Sequence, residues 1–218
     1  MKVVRFFEEA YRRPGRYWWK GAHAYSTDPD DHAGSLMAQA VLRHARAAPT
    51  GRALDMGSGE GADAIRLARL GWDVDAVEPA STGVQKIKEF AAGQNVHVNV
   101  FQGNILEWDY PGEAYDLIVC NGVLHYIEDK YTACRRLQSA TRVGGLNALS
   151  LWSDFTPVPQ CHEIVPTFPD TEFGSVYEAY RSWEKTLLYF ERNRAEMGHN
   201  DMPDHRHSFI KIIARRSG

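Results

Sequence analysis

The chain has 218 residues, 44% hydrophobic and 24% charged, a balance that fits a globular protein and excludes a disordered or fibrous one. Its 25 Lys and Arg against 28 Asp and Glu leave a net charge of -3, which disfavours nucleic acid as the main partner. No apolar run reaches the roughly 18 residues of a membrane span, and the charged N-terminal stretch is unlike a signal peptide. We therefore expect a cytoplasmic protein with no membrane and no nucleic-acid partner.

The hydrophobic pattern predicts an α/β fold. Two helices, over residues 3–12 and 35–47, flank an aromatic segment broken by Gly and Pro. Strands are then predicted over 53–56, 72–77, 96–102, 115–120 and 146–152. Between them we predict helices over 62–70, from Ser81 or Thr82 to about 92, and over 129–141, with a glycine turn at 144–145. This alternation indicates a mostly parallel sheet covered on both faces.

The C-terminal third departs from that alternation. Residues 153–175 form a long segment with four prolines, a kind of connection that often serves binding. Residues 182–191 and 205–215 read as two strands that pair antiparallel at the sheet edge. The prediction is a Rossmann-like, doubly wound sheet of seven strands with an antiparallel last strand. Residues 1–48 are expected to form a helical lid, and residues 49–218 the main domain.

The sequence gives no indication of a metal site. Cys120, Cys134 and Cys161 form no C-x-x-C pair, and we expect them to be reduced thiols. His162 stands beside Glu163 but has no third ligand at suitable spacing, so a solvated pair is the expectation.

Three histidines lie in the C-terminal region, at positions 199, 205 and 207. Strand alternation places His205 and His207 on one face. We expect surface histidines, with the rim of a pocket as the alternative.

A glycine-rich loop carries the strongest functional signal. The sequence Leu54-Asp55-Met56-Gly57-Ser58-Gly59-Glu60-Gly61 joins a predicted strand to a predicted helix. Glycines let a backbone approach a ligand closely, and a helix N-terminus favours negative charge. Glu78 ends the next strand, where a carboxylate can accept hydrogen bonds from both hydroxyls of a ribose.

Two cofactors fit this loop. Gly57, Gly59 and Ala62 satisfy the dinucleotide spacing G-x-G-x-x-G/A, whereas Asp55 with Gly57, Gly59 and Gly61 satisfies D-x-G-x-G-x-G. A carboxylate two residues before the first glycine suits the amino-acid end of S-adenosylmethionine and would be poorly placed beside a pyrophosphate. Asp55 therefore favours S-adenosylmethionine, with a nicotinamide dinucleotide as the alternative.

Several motifs in the same order resemble the class I S-adenosylmethionine-dependent methyltransferases. They are residues 54–61, Glu78, the YDLIV strand at 115–119, the VLHY segment at 123–126 and the VGG turn at 143–145. The GWDVDAV stretch at 71–77 and the region from Tyr177 to Arg215 are more narrowly similar to the tellurite-resistance (TehB-like) branch, which acts on small molecules.

The resemblance implies a set of cofactor contacts. Glu78 would bind the ribose, Pro79 would flank the adenine, and Asn121 would face the methionine amino group and the methyl. Family members commonly have Asp where Asn104 precedes Ile105, and the amide oxygen can still accept from the adenine amino group, without charge assistance. The remaining contacts expected at the methionine end are Asp55, Gly57, Ser58, Gly59 and Gly61.

His125 and Tyr126 are the catalytic candidates, because they follow the strand end that forms the cofactor crevice. His125 would be a general base if the acceptor needs one, since its usual pKa is close to cellular pH. The alternatives are a structural hydrogen bond for His125 and a polar or merely packed wall for Tyr126.

Aromatic residues near the N-terminus are candidates for a lid over the sulfonium, with Trp19 contacting the cofactor. Tyr25, His32, Trp152 and His162 are the expected acceptor contacts.

These features together predict in-line methyl transfer from S-adenosyl-L-methionine to a small molecule, either a secondary metabolite or a metalloid oxyanion. A protein or RNA methyltransferase and a cofactor-binding relative that does not methylate are the alternatives. The sequence does not decide between a monomer and a homodimer.

Overall fold

The computed structural model describes residues 2–18, 21, 23–32, 35–48, 50–162, 165–198, 200 and 202–218. Its α-helices are α1 (Lys2–Tyr11), α2 (Leu36–Ala47), α3 (Ala62–Arg69), α4 (Ser81–Gly93), α5 (Lys130–Ala140) and α6 (Ser175–Ala179). Its strands are β1 (Arg52–Met56), β2 (Asp73–Glu78), β3 (Asn99–Gln102), β4 (Tyr115–Asn121), β5 (Thr141–Ser153), β6 (Glu184–Glu196) and β7 (His205–Arg215). Short 3₁₀ turns span Pro29–His32, Leu124–Tyr126 and Gln160–His162.

The seven strands form one sheet in the order β3-β2-β1-β4-β5-β7-β6. Neighbours from β3 to β5 are parallel, and β7 runs antiparallel to both β5 and β6. The predicted doubly wound sheet and its antiparallel last strand are thus confirmed. The carboxyl ends of β1, β2 and β4 meet at one edge, where folds of this kind bind ligands.

Helices cover both faces of the sheet, so the central strands are apolar throughout. Leu54 and Ile118 point to the face covered by α5, while Ala53 and Leu117 point to the face covered by α3. All four are at most 1% exposed. Burying each leucine or isoleucine is worth about 1.5–3 kcal/mol, which explains why these strands read as continuous hydrophobic runs.

The two predicted N-terminal helices have different surroundings. Met37, Val41 and Ala45 of α2 pack into the same core as α3 and the sheet. By contrast, α1 packs with Tyr17 and Ala80 in a small separate cluster. The predicted boundary at residue 48 therefore falls inside one packed unit, because α2 shares a core with α3 and the sheet.

The glycine turn predicted at 144–145 lies inside β5. The register between β4 and β5 jumps from Tyr115 opposite Thr141 to Leu117 opposite Leu146, which absorbs the extra residues in a bulge. Gly144 has a φ of 82°, which favours glycine at this irregularity.

The start of α4 also differs from the prediction. Neither Ser81 nor Thr82 caps the helix with its own side chain, because both are already helical. The carboxylate of Glu8 in α1 instead accepts from the amides of Ser81 and Thr82, at 2.5 and 3.1 Å. Sequence patterns miss this cap because it comes from more than 70 residues away.

The long segment after β5 folds back along the sheet edge. Asp170 pairs with Ser153 in an isolated bridge, and the Phe168 amide donates to the His125 carbonyl at 2.6 Å. Both Asp170 oxygens accept backbone amides at the start of α6, which ends the segment. Among the helices of the described residues, none is long and apolar enough to cross a membrane.

Candidate active site

The glycine loop leaves bare backbone at the sheet edge. Gly57, Gly59 and Gly61 have φ values of 74°, 58° and 80°. A Cβ on Gly57 would lie 2.3 Å from Val123 Cγ2, so a side chain is excluded there by both strain and space. The loop thus presents glycine backbone at the sheet edge, and its amides are used within the protein: those of Gly57 and Ser58 donate to the Val77 carbonyl and that of Gly61 to the Ser58 carbonyl.

Asp55 and Ser58 hold this loop from behind. The Asp55 Oδ2 atom accepts from the amide of Ala64, in the first turn of α3, at 3.0 Å. The Ser58 hydroxyl donates to the Asp55 carbonyl at 2.6 Å. Burial of Asp55, followed by the nearby Asp63 carboxylate, raises the pKa of Asp55 well above its ordinary value. The two residues link the end of β1 to the start of α3.

Glu78 ends β2 beside the loop, as its sequence position indicates. One carboxylate oxygen accepts from the Gly59 amide at 2.9 Å and the other from the Ala80 amide at 3.0 Å. Burial raises the pKa of Glu78 to about 7, and the two amides only partly counter this effect. A carboxylate has about four lone-pair sites, so two remain for a ligand. The carbonyl of Pro79, the next residue, accepts from the Gln102 side-chain Nε2 at 3.2 Å.

Residues 2–18, here called the N-terminal cover, lie over this end of the crevice. The Tyr11 hydroxyl would be 3.1 Å from a Cβ on Gly59, and Tyr11 is only 4% exposed. The buried Glu60 carboxylate accepts from the amides of Tyr17 and Trp18 at 2.8 Å. Glu60 also pairs with the Lys86 ammonium at 2.8 Å. The cover is therefore fastened to the loop and to α4.

Asn121 connects the crevice with a cavity of about 430 Å³. It ends β4, donates through Nδ2 to the Asp63 carboxylate of α3 at 3.1 Å, and lines the cavity. Ser150 of β5 lies on the same wall. The cavity also has acids and bases in its lining, namely Asp31, Glu196, Arg194 and Lys211. A polar ligand of modest size fits such a space.

His125 and Trp152 form a stack close to this edge. Their rings are 4.1 Å apart and nearly parallel, and the Trp152 amide donates to His125 Nδ1 at 3.4 Å. Burial, followed by His207, His162 and Lys130, lowers the pKa of His125 well below its usual value. A neutral ring that accepts at Nδ1 carries its hydrogen on Nε2. His125 is thus arranged as a hydrogen-bond donor at Nε2 rather than as a base.

Tyr126 completes the stack on the cover side. Its ring meets Phe7 of α1 edge-on at 5.6 Å and lies 4.3 Å from the His125 ring. Burial, followed by Tyr17, raises the pKa of Tyr126 above its ordinary value. The phenol therefore stays protonated at neutral pH.

Two of the three C-terminal histidines are not on the surface as expected, since the His205 side chain is 3% exposed and His207 is buried, while His199 lies outside the described residues. His162 is 8% exposed and His207 only 3%. His207 stacks on Trp152 at 4.3 Å, so Trp152 lies between His125 and His207. The expected solvated pair at His162 is also wrong, since His162 contacts His205 and His207, and Glu163 lies outside the described residues. The long segment brings these residues together, and local sequence does not show it.

Two of the expected adenine contacts have other partners. The Asn104 amide oxygen accepts from the amides of Leu106 and Glu107, at 2.9 and 3.1 Å, so it supports its own turn. Ile105 is 2% exposed and packs into the main core.

Three other residues expected to contact the acceptor or the cofactor differ in where the structure places them. His32 lines the cavity and is held by its Nε2 atom, 2.9 Å from the Ser26 carbonyl. Tyr25 packs instead against Phe90 and under the Arg16 guanidinium, on the α4 side, and is a correction to the acceptor set. Trp19 lies outside the described residues, so its cofactor contact stays a prediction.

Sequence patterns missed the residues that fasten the N-terminal cover and several of those that line the cavity. The first group comprises Glu8, Tyr11, Glu60 and Lys86, and the second Ser150, Arg194, Glu196 and Lys211. The Glu60 position inside the glycine motif was the one available signal, because a buried acid beside a helix start needs partners.

Comparison with known proteins adds evidence on the class. Residues 53–145 match a family model described as "Methyltransferase domain". Together with the sheet order and the glycine loop with its acid, this match indicates a methyltransferase domain of the class I, S-adenosylmethionine-dependent type over residues 53–145. S-adenosylmethionine is accordingly its cofactor, and the dinucleotide alternative is set aside.

The likeness to the TehB-like branch is confirmed as well. A probable S-adenosyl-L-methionine-dependent methyltransferase TehB from Haemophilus influenzae (strain 10810) is 26% identical over 171 residues, which cover 76% of this chain and 57% of that relative. The crystal structure of TehB from Haemophilus influenzae superposes with a TM-score of 0.68 at 20% identity, over 86% of this chain and 65% of that one. The present chain thus spans little more than half of the length of the curated relative.

A third likeness concerns the fold alone. A 1,6-didemethyltoxoflavin-N1-methyltransferase from Burkholderia thailandensis, solved with 1,6-didemethyltoxoflavin and S-adenosylhomocysteine, has a TM-score of 0.68 at 17% identity. The likeness covers 100% of this chain and 88% of that one.

Proposed function

We propose that the protein transfers a methyl group from S-adenosylmethionine to a small polar molecule that enters the cavity beside Asn121. One observation carries this proposal: Asn121 lines the cavity and also bonds to α3, directly behind the glycine loop. Asn121 therefore borders both the crevice and the cavity. The small-molecule enzyme from Burkholderia thailandensis, with the same fold, supports the choice of acceptor class.

The residues present fit this cofactor. Glu78 is proposed to accept from the ribose hydroxyls, because it is buried and retains lone pairs beyond its two amide contacts. The Gly57, Ser58, Gly59 and Gly61 backbone would receive the methionine part, since a Cβ on Gly57 would collide with Val123. When bound, S-adenosylmethionine supplies a methyl group activated by a sulfonium leaving group.

The adenine is proposed to lie between the Pro79 ring and the segment of Asn104 and Ile105. Because the Asn104 oxygen is committed to its own turn, we assign adenine recognition to the shape of this segment more than to the amide.

The contribution of the chain to catalysis is then chiefly alignment and exclusion of water. Positioning of two reactants can lower a barrier by about 7–11 kcal/mol. Burial around Trp152, His125 and Tyr126 provides a dry wall at this edge. His125 and Tyr126 are proposed to act as hydrogen-bond donors and not as bases, since burial lowers the pKa of His125 and raises that of Tyr126. These groups favour acceptors that need no general base, such as an oxyanion, a thiolate or a tertiary amine.

Cofactor binding is tested by calorimetry with S-adenosylhomocysteine. We expect Glu78→Ala to weaken binding at least tenfold, by loss of the proposed contacts to the ribose. Glu89→Ala is the matched control, because Glu89 is an exposed acid on α4 whose carboxylate accepts from the Gln85 side chain. Equal affinities for the two variants would contradict the assignment of Glu78.

The acceptor class is tested with methyl-labelled S-adenosylmethionine. Labelling of small molecules in a deproteinised extract would support the proposal. Label appearing only in protein or RNA would overturn it in favour of a macromolecular acceptor. Tight S-adenosylhomocysteine binding with no labelled product in any fraction would identify a relative that does not methylate.

A further inference from the structure

Three histidines converge beside Glu196, which lines the cavity, and none of the three has a role in the proposed function. His162 belongs to the 3₁₀ turn at Gln160–His162, and His205 and His207 lie on one face of β7, two residues apart. The sequence separations are 43 and 45 residues, which is why spacing alone indicated no metal.

Two of the three nitrogen–nitrogen distances in this histidine cluster match those around a metal ion, and the ligand atoms of His205 and His207 lie within 4.8 Å of each other. His162 Nε2 lies 3.3 Å from His205 Nε2 and 3.2 Å from His207 Nε2. Imidazole nitrogens bound to a tetrahedral zinc ion at about 2.0–2.1 Å are about 3.3–3.4 Å from one another. The side chains thus need little movement to share one ion.

The ring orientations are consistent with metal binding. His205 Nδ1 lies 2.7 Å from the Pro203 carbonyl, which accepts its hydrogen. In the neutral ring this leaves the Nε2 lone pair directed into the cluster, and carbonyl contacts of this kind orient metal-binding histidines. His162 Nε2 faces two imidazole nitrogens at once. One hydrogen bond can link it with one of them, whereas a shared ion would accept a lone pair from each ring.

Further donors lie beside the three rings. One metal-binding atom from each of Glu196, His205 and His207 lies within 4.8 Å of the others, and the same holds for Cys161, His162 and His205. The nearer Glu196 oxygen is 3.4 Å from His205 Nε2. Glu196 also lines the cavity that Asn121 lines, so it connects the cluster with that cavity.

The surroundings provide both a dry side and an entrance. Trp152 stacks on His207 and meets His162 edge-on at 4.9 Å, and it shields the cluster from the cofactor side. On the opposite side a second cavity is lined by Cys161, Pro203 and His205. An ion can reach the rings from there without passing the cofactor crevice.

We propose that His162, His205 and His207 bind a divalent transition-metal ion of the zinc type, with the Glu196 carboxylate at the fourth position. Imidazole suits Zn²⁺ and its neighbours in the first transition series, and a hard ion such as Mg²⁺ would prefer oxygen ligands. The ion would tie the segment after β5 to the hairpin of β6 and β7. This proposal does not depend on the acceptor or on methyl transfer.

The test uses protein from which metal has been removed with a chelator. Calorimetry during titration with ZnCl₂ measures the number of ions bound per chain and their affinity. We expect one ion per chain, and we expect His162→Ala to weaken the affinity at least about 100-fold. His97→Ala is the matched control and should leave the affinity within twofold. His97 is exposed and precedes β3, at the opposite edge of the sheet from the cluster.

A second variant guards against misfolding. If His162→Ala loses its far-ultraviolet circular dichroism, His205→Gln, which keeps a polar side chain of similar size, takes its place with the same expected loss. Absorption of the Co²⁺-loaded protein gives an independent readout, since tetrahedral Co²⁺ absorbs strongly in the visible region. A thiolate charge-transfer band would add Cys161 to the ligands and still support the site.

Two results would overturn the proposal. One is equal Zn²⁺ affinity in the wild type and in both cluster variants. The other is weak Co²⁺ absorption of the octahedral type at full loading. S-adenosylhomocysteine is titrated into the same samples, so loss of cofactor binding and loss of metal binding are recorded separately. Failure of one proposal therefore leaves the other intact.

Discussion

At the scale of single residues, Glu78 is an acid whose charge state depends on the pH of the solution near neutrality. Burial raises its pKa to about 7 from an ordinary value of 4.5. The folded state therefore holds the proton more tightly than the unfolded chain. The stabilising contribution of the protonated group is lost as the pH rises from about 4.5 to about 7.

The same pKa predicts the pH dependence of cofactor binding. Ribose hydroxyls donate to the ionised carboxylate, so we expect the affinity for S-adenosylhomocysteine to fall about tenfold between pH 8 and pH 6. Calorimetry across this range measures the effect. Glu78→Gln should bind weakly with a nearly flat profile. An unchanged slope in that variant would assign the titration to another group.

The positions of Glu78 and His125 were predictable from sequence, but the behaviour of His125 was not. Local motifs place His125 just after a strand that ends at the crevice. Its proton arrangement is set by the Trp152 amide on β5 and by burial under distant residues. A position in the chain follows from local periodicity, whereas a protonation state depends on neighbours that only the fold brings near.

At the scale of elements, α1 has a strong attachment to α4. Glu8 caps the first turn of α4, and the hydrogen bonds from Thr82 and Ser81 outweigh burial, so the pKa of Glu8 is lowered. A depressed carboxylate pKa stabilises the fold above the unfolded value of 4.5, and this contribution is lost as the pH falls below it.

Removing this cap should loosen the N-terminal cover. Glu8→Ala is expected to lower the free energy of unfolding by about 1 kcal/mol, the usual effect of a lost helix cap. Urea denaturation at pH 7 measures it. Glu9→Ala is the control, because the Glu9 side chain forms an exposed ion pair with Arg5, and it should change stability by less than about 0.5 kcal/mol. Equal losses would show that the cap does not contribute.

The elements themselves were largely predictable because each is marked by local patterns. Apolar periodicity and glycines bounded the strands and helices from β1 to α5 within a few residues. The bulge in β5 was not predictable, since Gly144 and Gly145 look like a turn unless the pairing of Tyr115 with Thr141 is known. Strand register is a property of two segments, and one segment alone does not specify it.

At the scale of the whole molecule, ligand binding should raise thermal stability. A ligand at 100 times its dissociation constant stabilises the folded state by about 2.7 kcal/mol. For a domain of this size we expect S-adenosylhomocysteine to raise the melting temperature by about 5–10 °C. NADH at the same concentration should shift it by less than about 1 °C, and an equal shift would return the dinucleotide alternative to consideration.

The histidine cluster illustrates what sequence reasoning lacks at this scale. Alternation along β7 correctly placed His205 and His207 on one face, but it did not say what covers that face. The covering residue, His162, comes from an irregular segment whose path is set by Asp170 and the bridge to Ser153. Such a site is assembled by tertiary structure and has no local signature.

The N-terminal cover has a consequence for the timing of the reaction cycle. Tyr11 lies over Gly59, and Glu60 and Glu8 bind the cover to the loop and to α4. If the cofactor binds in the crevice as proposed, we expect its demethylated product to leave only when this segment moves away from the loop. Release of this product would then limit the turnover rate. Glu8 and Glu60, which hold the cover in place, would thereby slow each round of catalysis.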